Sequence, residues 1–115
     1  MRWFAPFEDV TCDAFLEQYA FLPLREGRTG IEPANAFAFD PGHPLVHLHL
    51  ALVEEDTAQR ASLIESGLRR LQRPENATVY GQSRWVEQLR TGREILIRLG
   101  QDNAASTLDA LIDGE

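Results

Sequence analysis

Three histidines fall within seven residues, His43, His47 and His49, and Glu54 follows soon after. If this stretch is helical, about 100° per residue brings His43, His47 and Glu54 to one side. Two imidazoles at i, i+4 and a carboxylate one to two turns on supply three of the four ligands zinc takes. His49 then points the other way, among Leu45, Leu52 and Val53. A polar helix edge with one hydrogen-bonded, partly buried His49 accounts for the same spacing without a metal. No metal or cofactor is therefore expected, and His43, His47 and Glu54 are the residues a metal would use.

Catalysis has less to build on. Cys12 lies near the start of an expected helix, where a thiolate gains some stabilisation, but no His and Asn/Asp partners accompany it. The one run of carboxylates, Glu54-Glu55-Asp56, falls at an expected helix junction open to water rather than in the apolar surroundings acid–base catalysis uses. Arg25-Glu26-Gly27-Arg28-Thr29-Gly30 resembles a phosphate loop only superficially. It lacks the Gly-Lys-Ser/Thr ending and the preceding apolar strand. No catalytic residue is assigned, and a non-enzymatic binding protein is expected.

Residues for binding another protein are easier to name. Trp3, Phe4 and Phe7, with Phe37 and Phe39, form two aromatic segments, and monomers rarely expose contiguous aromatic surface without a partner. Glu54, Glu55 and Asp56 add charge. Seven arginines (Arg69, Arg70, Arg73, Arg84, Arg90, Arg93 and Arg98) border the loop between the two longest expected helices. Glu65–Arg69 and Glu94–Arg98 at i, i+4 and Glu87–Arg90 at i, i+3 predict a largely self-paired face. Arg70, Arg73 and Arg93 have no helical partner and complete the candidate binding set.

These residues must be positioned by helices. After an aromatic arm at residues 1–10, Thr11 reads as an N-cap and Phe15, Tyr19 and Leu22 recur at helical intervals, predicting a helix over 12–22 stopped by Pro23. Residues 23–43 hold enough Pro and Gly to read as a long irregular loop, with a short strand at Ala36–Phe39. From Pro44 the pattern becomes continuous helix. Helices are predicted over 44–55, 57–73 with Asp56 as N-cap, 79–99 after a cap at Asn76 or Thr78 and before a stop at Gly100, and 103–113. The expected fold is mainly α: one domain, with arm, short helix and loop in 1–43 and a bundle of four to five helices completed by 44–115.

The chain has 115 residues, 11 basic and 18 acidic, for a net charge of −7. Every basic residue is arginine. Residues 1–43 carry three Arg against seven acids (−4), 44–100 eight against seven (+1), and 101–115 no base against four acids (−4). Such a surface repels phosphate, which argues against nucleic acid and for a basic protein partner. No apolar run nears the ~20 residues of a membrane span, and no basic n-region precedes an apolar stretch. With a single Cys, a cytoplasmic protein is expected.

The stretch from Arg70-Leu71-Gln72-Arg73-Pro74 to Ser83-Arg84-Trp85-Val86-Glu87-Gln88-Leu89-Arg90 resembles the helical-hairpin immunity proteins that neutralise interbacterial NAD-degrading toxins. In both, a helix ending in a basic-apolar tract meets a proline, and a second helix carries a Gln-Leu/Ile-Arg run on its packed face. The likeness covers about a quarter of the chain and implies a small bacterial inhibitor acting by direct contact. Two alternatives carry separate expectations. The aromatic segments suit a secretion-type chaperone for an exported effector, or a helical-repeat adaptor, since the alternation of short and long helices resembles tetratricopeptide pairs. The histidines suit a metal-binding protein. A homodimer is compatible with any of these.

Overall fold

The computed structural model describes residues 8–114. The proposed arm residues Trp3, Phe4 and Phe7 lie outside the described residues. Among those described there are seven helices and no strand, so the chain is a mainly α bundle. α1 runs without a break through Glu8–Leu16, Glu17–Phe21 and Leu22–Arg25. Then come α2 (Pro33–Phe39), α3 (Val46–Val53), α4 (Thr57–Leu71), α5 (Glu75–Tyr80), α6 (Gln82–Arg98) and α7 (Asp102–Asp113).

α1 departs from the expectation at both ends. Thr11 lies inside it rather than capping it, and Pro23 does not stop it. The middle segment is a π-turn, with Leu22 N–H bonded to Glu17 O. Proline has no N–H to give the carbonyl four residues back and its ring crowds that carbonyl; widening the helix accommodates both effects. The Tyr19 carbonyl instead accepts Ile31 N–H at 2.8 Å, and Pro23 O accepts Arg28 N–H at 2.7 Å. The following loop is thereby laid across the π-turn so closely that a Cβ at Gly30 would lie 2.6 Å from Tyr19 O.

The predicted strand at Ala36–Phe39 is a helix. Pro33 supplies the preset φ of a first helical turn, and Glu32 enters it from an extended conformation. Of the Ala-Phe-Ala-Phe alternation only Ala36 is buried, so the period-two pattern does not mark a buried sheet face. The predicted helix over 79–99 is two helices. Gly81 adopts φ 94°, which L residues rarely reach, and breaks α5 from α6. Asn76 caps no helix start. It is buried and donates to Arg70 O at 2.8 Å, while Trp85 Nε1 donates to Leu71 O at 2.8 Å, so two side chains satisfy the carbonyls at the end of α4.

Other signals hold. Asp56 accepts Gln59 N–H at 2.8 Å as the N-cap of α4. Gly100, φ 76°, closes α6 with Gln101 N–H on Leu96 O and Gly100 N–H on Ile97 O. α3 is the centre of the bundle, touching α2, α4 and α6. Its Leu48 lies against Gly67 of α4, where a Cβ would come within 2.7 Å of Leu48 Cγ. Leu16, Phe21, Leu45, Leu71, Leu89, Ile95, Leu96 and Leu108 close the core around it. No helix among the described residues is long and apolar enough to cross a membrane.

Candidate functional site

His43, His47 and Glu54 do not gather into a ligand set; the two histidines that approach each other are His43 and His49, both against Phe21 at 5.1 and 4.1 Å between ring centroids. His43 precedes α3 in a turn rather than lying on it, and Glu54 follows it with extended backbone, so the helical projection that brought them together fails. Among the described residues no group of three His, Cys, Asp or Glu side chains could hold a metal. His43 is fully buried. Its Nδ1 accepts Leu45 N–H at 3.0 Å, so Nε2 carries the proton and donates to Asp13 Oδ1 at 2.7 Å. With Nδ1 held by a backbone N–H, this Asp–His pair has no free nitrogen to take a proton from a nucleophile.

Asp13 in turn accepts Arg84 Nε at 2.6 Å and Nη2 at 2.8 Å, a fork that joins α1 to α6 across 71 residues of sequence. Burial alone would raise the Asp13 pKa; the bonds from Arg84 and then His43 outweigh it and hold the carboxyl at about 2. Arg84 is shifted up by the hydrogen bond to Asp13, partly opposed by its burial. Glu87 takes a third bond from Arg84 at 3.3 Å, in place of the expected Arg90 pair. The cleft of about 520 Å³ beside this cluster is lined by Leu22, Tyr80 and the charged groups themselves, including Arg84, whose guanidinium already makes three hydrogen bonds to Asp13 and Glu87.

His49 is fully buried, more so than expected. Its Nδ1 donates to Leu45 O at 2.7 Å and its Nε2 meets Arg25 Nη1 at 3.1 Å. The ring stacks on Phe21 at 4.1 Å, and Arg25 pairs with Glu17. Burial pushes the His49 pKa down to about 3, with Arg25 adding to the effect and the bond to Leu45 opposing it. His47 is half-buried, edge-on to Phe37 at 5.5 Å, its pKa lowered first by burial and then by nearby Arg70.

The outward surface carries what the interior does not. Phe15 and Tyr19, which the pattern placed on the packed stripe of α1, are exposed; the buried stripe is Asp13, Leu16 and Ala20, one step round the helix. Phe15 is 5.2 Å from Tyr19 and 5.5 Å from Phe39, ring to ring. Tyr19 and Phe39 are 50% and 56% exposed and Phe15 is exposed between them, so an aromatic cluster lies open to solvent; Phe37 is exposed apart from it, against His47. Phe37 and Phe39 belong to the sequence-derived set; Phe15 and Tyr19 do not, although a helical wheel that places Leu16 and Ala20 inward exposes them.

The remaining candidates are spread out. Glu54 accepts Asp56 N–H at 3.1 Å, Asp56 caps α4, and Glu55 is exposed beside them. Arg93 has a partner that helical spacing within α6 could not reveal, Asp109 of α7, at 2.5 Å. Arg73 is exposed and Arg70 half-buried. Next to the acidic junction, Ala20, Leu24, Ile31, Pro33, Leu50 and Val53 line a groove of about 570 Å³, together with Arg28, Glu32 and Glu54. No family model, curated protein or solved structure matches the chain.

Proposed function

We propose that this chain is a non-enzymatic, acidic binding protein, an immunity protein or inhibitor that neutralises a basic toxin by direct contact. The observation that carries the reading is the open cluster of Phe15, Tyr19 and Phe39. Aromatic side chains give large contact area at low entropic cost and dominate protein interfaces when a partner covers them. The strongly acidic balance of the chain favours a basic partner and speeds its encounter. The buried titratable groups support it differently: Asp13 is bonded to His43 and half-buried Arg84, and His49 to half-buried Arg25, so their polar atoms are engaged within the fold.

The same aromatic surface favours a second reading, a chaperone that sheathes an exported effector. Action in the cytoplasm suits both. The test is affinity capture from the native host followed by reconstitution from purified components. The immunity reading expects a 1:1 complex in which the partner's activity is suppressed. The chaperone reading expects a complex with an inactive, secretion-competent partner. Retention of small molecules or metal alone contradicts both. Replacing Phe15 and Phe39 by serine should leave helicity intact and weaken the complex by tenfold or more, about 1.4 kcal/mol.

A further inference from the structure

We infer that the groove between the end of α1 and α3 receives an aliphatic side chain flanked by arginine or lysine, carried on a segment of the partner protein. The inference rests on the protein-binding reading above and extends it to a second contact. The groove floor is apolar and comes from three elements: Leu24 of α1, Ile31 of the following loop, and Leu50 and Val53 of α3 and its end. The loop is held down there by the Ile31–Tyr19 hydrogen bond, which the π-turn makes available. The concavity is therefore built into the fold, and its volume of about 570 Å³ lies in the range of ordinary ligand sites.

Charge selects the occupant. Two carboxylates, Glu32 and Glu54, belong to the lining, and Glu55 and Asp56 follow at the same junction. Glu32 stands at the N-cap of α2, where its backbone carbonyl accepts Asn35 and Ala36 N–H but its carboxylate caps no helix N–H and makes no ion pair among the described residues. The lining has a single cation, Arg28, and its guanidinium is turned to Glu26 through Nε at 2.8 Å and Nη2 at 2.5 Å. At the junction Arg60 donates to Glu54 O at 3.0 Å and Glu55 O at 3.5 Å and offsets part of the charge there, so an apolar side chain entering the groove meets its unpaired negative charge at Glu32. An adjacent arginine or lysine gains from that field, and an adjacent acid is repelled.

The probe is an acetylated, amidated hexapeptide of leucine and arginine, with a leucine–glutamate counterpart, titrated into the full chain labelled with nitrogen-15. The expected result is saturable binding of the arginine peptide, with amide shifts centred on Leu24, Ile31, Leu50 and Val53, and none of the glutamate peptide. Glu32→Gln should weaken it roughly two- to fivefold, as for an exposed ion pair. Val53→Ser should weaken it by about tenfold from lost apolar contact. Equal binding of both peptides, shifts centred on Phe15 and Phe39, or indifference to Glu32→Gln and Val53→Ser with helicity intact would overturn the inference. So would peptide-free self-association that Val53→Ser abolishes, since the occupant would then be a second copy. In the reconstituted complex, Glu32→Lys that leaves affinity unchanged while the Phe15/Phe39 double replacement destroys it removes the groove contact and leaves the wider reading standing. Failure of the double replacement to act removes the wider reading itself.

Discussion

Replacing Asp13 by asparagine tests the charged pin between α1 and α6. The carboxylate is nearly sealed from water and receives two bonds from Arg84 and one from His43. Its pKa falls from the ordinary 3.8 to about 2, which at about 1.4 kcal/mol per unit corresponds to about 2 kcal/mol of stability in the ionised form. Asparagine removes that charge and leaves a buried donor short of an acceptor, adding about 1 kcal/mol. The expected loss at pH 7 is roughly 3 kcal/mol, or roughly 10 °C or more in Tm. Because the folded pKa is depressed, the charge contribution is fully present above pH 3.8 and disappears as pH falls through about 2. Urea unfolding followed by circular dichroism at several pH values reads both effects. The gap between wild type and Asp13→Asn should be widest at neutral pH and should narrow in that acid window. A loss at pH 7 below ~0.5 kcal/mol, the level of an ordinary surface change, or a gap that ignores pH, would refute the reasoning.

Three further outcomes follow from the packing. His49 is held neutral, with its folded pKa at about 3 against an ordinary 6.5, so the unfolded chain binds a proton first and stability declines as pH drops through that window; His49→Leu should flatten the slope there. A Cβ at Gly67 would press on Leu48, so Gly67→Ala should destabilise by roughly 1–2 kcal/mol in denaturant titrations even though alanine is the better helix former. Gln88 is fully buried with neither side-chain polar atom hydrogen-bonded among the described residues, so Gln88→Met should raise stability by about 1 kcal/mol; a drop in Tm would show that the amide has a partner.

The bundle was legible in the sequence wherever a local signal decided the structure. Asp56 with Gln59 announced one helix start, Gly100 announced a stop, and Ile64 and Leu71 or Trp85 and Leu89 marked packed faces that are indeed buried. Legibility failed where one residue had two physical meanings. Pro23 breaks a regular helix but is absorbed by a π-turn, Pro33 ends one pattern and begins another, and Asn76 caps a preceding helix instead of a following one. Gly81 splits a stripe that reads as continuous because Trp85 and Leu89 carry it on. The Asp13–His43–Arg84 cluster had no local signature, since its members are 30 and 71 residues apart from Asp13 and meet only when the fold brings the start of α6 and the turn before α3 to α1. Of the aromatic cluster of Phe15, Tyr19 and Phe39, only Phe39 was legible; Phe37, named with it, packs edge-on to His47 instead. Phe15 and Tyr19 were hidden by their spacing, which fits a core stripe as well as an exposed one.

The most direct test of the protein-binding account places a photo-crosslinking phenylalanine analogue at Phe39, with exposed Glu94 as the control position, in cells of the native host. Protein binding through this cluster requires one dominant adduct from position 39 and none from 94, with a protein that, once purified, binds the wild-type chain and loses that binding when Phe15 and Phe39 become serine. Equal adducts from both positions, or a purified candidate that binds the serine variant as well as the wild type, would contradict it.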